Sequence, residues 1–114
     1  MDPVIAVNGG VANPGLGYMA FAVSSLTRFP SAGYVAFDGP QGPVGPIRIA
    51  AAGTDPLDDF TCYPTYSKGI CRFGDYSAAE YWDRRVYMVT EYVGQDPRDT
   101  YSDWDTRIWS APVP

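Results

Sequence analysis

The stretch Gly17-Tyr-Met-Ala-Phe-Ala-Val-Ser-Ser-Leu26 decides the fold class of this chain. Successive side chains of an extended strand point to opposite faces, so Tyr18 and Ala20 share one face while Met19 and Phe21 share the other. Both faces are apolar, which is typical of a strand packed between two layers rather than of a strand with one face in water. The stretch therefore predicts a buried β-strand in a layered protein.

The sequence on either side predicts three further strands, which form an antiparallel meander with the first. Asn8-Gly9-Gly10 and the Gly/Pro-rich segment 38–46 are turn signals. Pro30-Ser31 is expected to interrupt the strand pattern, because proline has no backbone N–H. The four predicted strands are residues 4–7, 17–26, 33–38 and 47–52.

A second group of strands follows a long irregular segment. Residues 85–93 alternate, and Asp83-Arg84 is predicted to be a tight turn that joins them to a strand at 76–82, with a last strand at 105–110. We therefore divide the chain, within a single domain, into three parts. These are a four-stranded unit at 1–53, a connection that holds both cysteines at 54–72, and a second, incomplete unit at 73–114.

Composition supports an all-β fold of short strands. Gly 12 and Pro 11 make up about a fifth of the 114 residues and break long helices, while the 15% of aromatic residues favours strands. Strand groups of about 40–50 residues match the spacing of propeller blades, so we predict about two antiparallel meander blades of a β-propeller. A seven-stranded β-sandwich is the alternative, although the Cys–Trp–Cys arrangement of immunoglobulin folds is missing.

The charge balance excludes several classes of partner. With a formal net charge of −5 the surface repels phosphate backbones and anionic lipids, which disfavours nucleic-acid and membrane-surface roles. No apolar run approaches the roughly 18 residues of a membrane span. The first residues show no basic segment followed by an apolar one, so no signal peptide is visible. We expect no nucleic-acid partner and no membrane span.

The two cysteines, Cys62 and Cys71, are spaced to close a small loop. A disulfide of that size would contribute about 2–3 kcal/mol and would indicate an extracytoplasmic location. The alternative is a pair of unrelated buried thiols in a cytosolic protein. Two cysteines without any histidine cannot complete a four-ligand zinc site, and the lack of histidine also excludes Ser-His-Asp and Cys-His catalysis.

Three runs in the second half carry a resemblance to a known family. They are Arg72-Phe-Gly-Asp-Tyr-Ser-Ala-Ala79, Val86-Tyr-Met-Val-Thr-Glu-Tyr-Val93 and Trp104-Asp-Thr-Arg-Ile108. Together they resemble bacterial secreted propeller proteins of the sialidase-like BNR class, with the likeness extending over roughly residues 4–110. Phe73 stands where that family has Trp, and Asp105 where it has Gly.

The resemblance implies a ring of six or seven blades, of which this chain holds about two. Two blades cannot close a ring and would leave sheet edges and faces exposed. We therefore expect either self-association into a homo-oligomer, in which three copies would supply six blades, or the remainder of a parent propeller as the partner.

The candidate ligand-binding residues are of two kinds. Asp75 and Tyr76 would lie near the central channel, unless Asp75 caps a turn and Tyr76 packs between blades. Aromatic rings stack on sugars, so Trp104 and Tyr101 with Arg107 form the second set, and carbohydrate is the candidate ligand. Core packing between blades is the alternative explanation for a neighbouring aromatic residue, Trp109.

The predicted function is non-catalytic extracytoplasmic binding or assembly. One alternative is part of a sialidase-like glycoside hydrolase, for which Asp75, Glu80 and Glu91 are the candidate carboxylates. Another is a structural fragment that assembles into a ring without a ligand. The acidic groups at 55–59 and 96–105 lack EF-hand spacing, and we predict no metal and no cofactor.

Overall fold

A computed structural model describes residues 4–7, 15–58, 62–63, 71, 73, 77–94 and 104–114, with the backbone alone for residues 4–7. The described part is all-β, as predicted, and consists of a four-stranded and a three-stranded antiparallel sheet. The first sheet contains β1 (Val4–Val7), β2 (Leu16–Ser25), β3 (Arg28–Asp38) and β4 (Gly42–Ala51). The second contains β5 (Ala78–Trp82), β6 (Arg85–Val93) and β7 (Trp104–Pro112).

The first sheet is the predicted meander, with strand order β1-β2-β3-β4. The register sets Tyr18 opposite Ala36 and Ala20 opposite Tyr34, so large and small side chains alternate on the face that β2 and β3 share. The opposite face carries Met19 and Val35, which pair with each other. Both faces of β2 are therefore lined by apolar residues.

The predicted interruption at Pro30-Ser31 is wrong, because β3 runs through it from Arg28. The pairing of β2 with β3 is irregular between Val23 and Ser25, next to the hairpin end. Proline is tolerated in strands at irregular positions where the ladder does not need its N–H. Pro30 is thus accommodated within β3 by a local irregularity in the pairing of β2 with β3.

Strand β4 begins five residues before the predicted start at residue 47, and it includes Pro43 and Pro46. It lies at the edge of the sheet, where a missing N–H costs no hydrogen bond on the open side. Gly45 adopts a φ of 81°, and the register with β3 shifts on either side of it. Because β4 begins at Gly42, the turn between β3 and β4 is shorter than the predicted segment 38–46.

The second sheet is held by two regular pairings, of β5 with β6 and of β6 with β7. Asp83 and Arg84 form the predicted tight turn, with φ values of 46° and 62°. Two positive φ values define the hairpin turn whose twist matches the flanking strands. The last strand extends past the prediction to Pro112.

The two sheets pack face to face around one core. Its fully buried members are Tyr18 and Ala20 from β2, Val86 and Met88 from β6, and Ala111 from β7. Partly buried residues pack around them: Tyr34, Ala36, Ala79, Tyr81, Trp109 and Val113. The Tyr34 ring lies 5.6 Å from Tyr18 and 5.7 Å from Trp109, centroid to centroid. We call the faces turned away from this core the outer faces.

The sheets are stacked with their strands in the same order. Strand β1 lies against β5, β2 and β3 lie against β6, and β4 touches β7. Consecutive strands β4 and β5 are therefore at opposite edges of the stack. The chain therefore leaves the first sheet at one edge, at Ala51, and enters the second at the other edge, at Ala78.

Two hydrogen bonds fix the start of this connection. The Gly53 N–H donates to the hydroxyl of the buried Ser31 over 2.8 Å, and that hydroxyl donates to the Phe29 carbonyl. The Thr54 N–H donates to the Val93 carbonyl in the second sheet over 3.0 Å. A Cβ at position 53 would collide with the Pro30 carbonyl, so the chain can pass here only as glycine. Further along, Cys62 and Cys71 form the predicted disulfide.

None of the described residues forms a helix long and apolar enough to cross a membrane.

Candidate functional site

The outer face of the second sheet exposes large apolar side chains. Trp82 is 71% exposed, Ile108 is 73% exposed and Tyr87 is 43% exposed, and Trp104 is exposed as well. The register places all four on one face, because Trp82 and Tyr87 occupy alternate pairs of the β5–β6 ladder and Ile108 and Trp104 alternate pairs of the β6–β7 ladder. Such a set of side chains is unusual for a face turned to water.

Two adjoining depressions cut into this face. The first has a volume of about 240 Å³ and lies around Ala78, between Tyr87 and Ile108. The second, which we call the Trp104 groove, has a volume of about 280 Å³. The groove is lined by Ser77, Ala78, Val89, Glu91, Trp104 and Thr106. Ala78 and Val89 line both depressions and connect them.

Glu91 lies at the floor of the Trp104 groove. It is 4% exposed and stands directly opposite Thr106 in the β6–β7 pairing. Trp104 is two residues from Thr106 along β7 and points to the same face. On the core side of β6, the fully buried Thr90 hydroxyl and the Ser77 hydroxyl hydrogen-bond each other over 2.6 Å. The groove thus combines an aromatic wall with a buried carboxylate.

The structure separates two of the predicted ligand-binding residues. Trp104 and Arg107 are three residues apart on β7 and point to opposite faces. Arg107 lies on the core side of the sheet, with its guanidinium carbon 5.8 Å from the centre of the Tyr92 ring. Trp109 is also on the core side, where it packs against Tyr34. A common stacking surface of Trp104, Arg107 and Trp109 is therefore not formed.

The other predicted ligand-binding residues, Asp75, Tyr76 and Tyr101, lie outside the described residues. The acidic group at 55–59 is described in part, and so is the group at 96–105. Within the part of the chain that the structure describes, no three acidic or cysteine side chains are grouped as a metal site.

Glu80 and Glu91, two of the candidate carboxylates, share the outer face without forming a pair. Glu80 is opposite Tyr87 and Glu91 is four residues further along β6. Four residues of strand span about 13 Å. Inverting glycosidases hold their carboxyl groups about 6.5–9.5 Å apart and retaining ones hold them closer. This pair is too widely spaced for either mechanism.

Sequence reasoning missed the exposure of Trp82 and Ile108. Both were assigned to strands, but alternation alone does not tell which face of a doubly apolar strand meets a second sheet. The sequence did carry one indication of the core side of these strands. On that side a small residue of β5, Ala79, stands opposite a large residue of β6, Met88.

No protein-family model matches the chain, and no curated protein and no solved structure is significantly similar to it.

Proposed function

We propose that this chain is a non-catalytic propeller segment of about two blades that acts in binding and assembly outside the cytoplasm. The observation that carries the proposal is the apolar character of the outer faces. An antiparallel sheet with one face in water normally alternates apolar and polar residues. Here Trp82, Tyr87 and Ile108 are exposed on the outer face of the second sheet, and Ile47 is 57% exposed on the first.

The stacking order is compatible with two adjacent blades as well as with a two-sheet sandwich. Adjacent blades of a propeller lie on one another in the same strand order, because each blade runs outward and the chain returns to begin the next. Strand β1 lies against β5 and β4 touches β7, which is that order. A sandwich of two sheets would use its two inner faces alone and leave polar outer faces.

The disulfide between Cys62 and Cys71 supports a location outside the cytoplasm. Disulfides persist in oxidising compartments and are rare in the reduced cytosol. The exposed apolar side chains of the outer faces would be stabilised by contact with a partner. A second copy of the chain can cover them, so no other protein is required.

The test is the native mass in solution, measured by light scattering with and without reductant. We expect a discrete multimer that persists on dilution to micromolar concentration. A monodisperse, folded monomer would contradict the assembly proposal, and the search would then turn to a parent protein that supplies the remaining blades.

Carbohydrate binding is the second candidate function, favoured by the Trp104 groove. A half-exposed indole offers a face to the C–H groups of a sugar ring, and the exposed Thr106 hydroxyl beside it can hydrogen-bond the hydroxyls of the sugar. A volume of about 280 Å³ is near the lower end of small-molecule sites, about 300–1,000 Å³. The groove is therefore of a size for one sugar ring.

Glycan binding is tested by titration calorimetry with a panel of monosaccharides and sialosides. If the groove binds sugar, Trp104→Ala removes most of the affinity. Trp82→Ala, which changes an exposed tryptophan outside the groove, is the matched control and keeps it. Equal losses in both variants would contradict a site at the groove.

The sialidase-like alternative predicts release of a fluorogenic sugar by the intact chain. Loss of that activity in Glu91→Gln or Asp75→Asn would support hydrolysis. The third alternative, a structural fragment, predicts assembly with no glycan bound and no sugar released.

A further inference from the structure

Three features of the molecular surface point to a single arrangement: the two outer faces, the Trp104 groove, and the exposed hairpin tip between β2 and β3. We propose that copies of this chain assemble head to tail, with the outer face of the second sheet in one copy covered by the outer face of the first sheet in the next. The proposal rests on the proposed function and identifies the two surfaces that meet.

The exposed area on the second sheet is of the size that a stable interface needs. Trp82, Tyr87, Trp104 and Ile108 together expose on the order of 500 Å², since a large aromatic side chain offers about 150–250 Å². A standard interface buries about 800 Å² per partner. These four residues, with the small residues between them, supply most of that area.

The outer face of the first sheet is a suitable counterpart. On its outer side Ile47 is exposed, and four further apolar residues are partly exposed around the buried Val35: Met19, Phe21, Phe37 and Ile49. A Cβ at Gly33 would be 3.3 Å from both Phe21 and Val23, so these two side chains close over the glycine and level the surface. A level apolar face can lie against the projecting side chains of the second sheet.

Charge favours the contact between unlike faces. The outer face of the second sheet carries two carboxylates, Glu80 and Glu91, against one cation, Arg85, so two such faces placed together would bring like net charges together. The first sheet presents an exposed cation, Arg28, at the hairpin tip, where it pairs with Ser25 in an irregular stretch of the β2–β3 ladder. Unlike faces therefore bring opposite charges to the interface.

The internal stack shows where Arg28 would lie. Within one chain the Tyr18 hydroxyl donates to the Pro112 carbonyl, and at the other end the Thr54 N–H donates to the Val93 carbonyl. These contacts set the β2–β3 hairpin tip at the end of the second sheet that holds Val93 and Trp104. The same geometry between copies brings Arg28 to the Trp104 groove.

The groove has the chemistry to receive a guanidinium group. The aromatic face of Trp104 attracts the cation, and the negative charge of the buried Glu91 in the groove stabilises it further. In this arrangement the Trp104 groove of one copy holds Arg28 of the next, while Trp82 and Ile108 cover the apolar surface around Ile47. Three copies would then provide six stacked sheets.

The experiment uses two face variants of the full chain, each at an exposed position. Ile108→Lys disables the outer face of the second sheet, and Ile47→Lys disables that of the first. Gln41→Lys, at an exposed residue in the β3–β4 turn at the other end of the sheet from the hairpin tip, is the control. Circular dichroism verifies that each variant is folded, and Trp82→Ser replaces Ile108→Lys if that variant does not fold.

Light scattering should show a multimer for the wild type and for Gln41→Lys, and monomers for each face variant alone. Because a head-to-tail contact uses one face from each copy, an equimolar mixture of the two face variants should form dimers that do not grow further. Arg28→Glu should weaken assembly at least tenfold at low salt, and Arg28→Lys should weaken it less.

The outcomes separate this inference from the proposed function. A wild-type multimer in which Ile47→Lys alone still dimerises would indicate contact between like faces and would overturn the head-to-tail arrangement only. A mixture of folded face variants that stays monomeric would overturn it too. A wild-type monomer would overturn both the arrangement and the assembly function.

Discussion

At the scale of single residues, Tyr18 connects the two sheets through both ends of its side chain. Its ring packs against Tyr34 in the core, and its hydroxyl donates to the Pro112 carbonyl over 2.9 Å. Tyr18→Phe keeps the ring and leaves the carbonyl without this donor. We expect the free energy of unfolding to fall by about 1 kcal/mol in a chemical denaturation experiment. An unchanged midpoint would show that water replaces the hydroxyl at no cost.

The same residue predicts a pH dependence. Burial raises the pKa of the Tyr18 phenol above its ordinary value of 10.0, with the Arg48 charge acting in the opposite direction. Because the folded-state pKa is the higher one, this contribution to stability is complete below about pH 10 and is lost as the pH rises through the folded-state pKa. Denaturation between pH 9 and 11 should show a shallower decline for Tyr18→Phe than for the wild type.

The residue scale also shows why the site could be predicted only in part. Trp104 was identified from its polar neighbours, and it does line a groove. The burial of Glu91 beside it depends on how β6 and β7 pair, and that register is a long-range property which strand alternation does not determine. The separation of Arg107 from Trp104 follows from alternation alone, once β7 is known to be continuous between them.

At the scale of elements, the β5–β6 hairpin turns through two residues with positive φ. Arg84, with φ 62°, has a side chain that disfavours this conformation, whereas glycine adopts it readily. Arg84→Gly should therefore raise the free energy of unfolding by about 0.5–1 kcal/mol. Thermal denaturation gives the measurement, and Arg85→Gly, at the next residue in regular strand, should be destabilising instead.

The strands themselves were predictable where alternation and turn chemistry agree. Residues 85–93 and the Asp83–Arg84 turn were placed correctly because each signal is local. Strands β3 and β4 were predicted too short, since an irregular register at Pro30 and an edge position for Pro43 remove the usual penalty of proline. Whether a proline lies at an irregular position or on an edge strand is determined only by how the strands pair in the folded sheet.

At the scale of the whole molecule, the disulfide in the connection between the sheets restricts the conformations that the unfolded chain can adopt. The Cys62–Cys71 disulfide closes a loop with a sequence separation of 9. Replacing both cysteines by serine should lower the free energy of unfolding by about 2–3 kcal/mol, chiefly because the unfolded chain gains freedom. Denaturation of the double variant and of the reduced wild type should agree. A large difference between the two would assign the effect to the substitutions and not to the bond.

The strand order of the stack also has an evolutionary consequence. Because β1 lies against β5 and β4 touches β7, the two sheets are laid on one another in the same sense. A tandem duplication of one sheet would thus add a layer without any new topology. Loss of one whole sheet would likewise leave the strand order of the other unchanged.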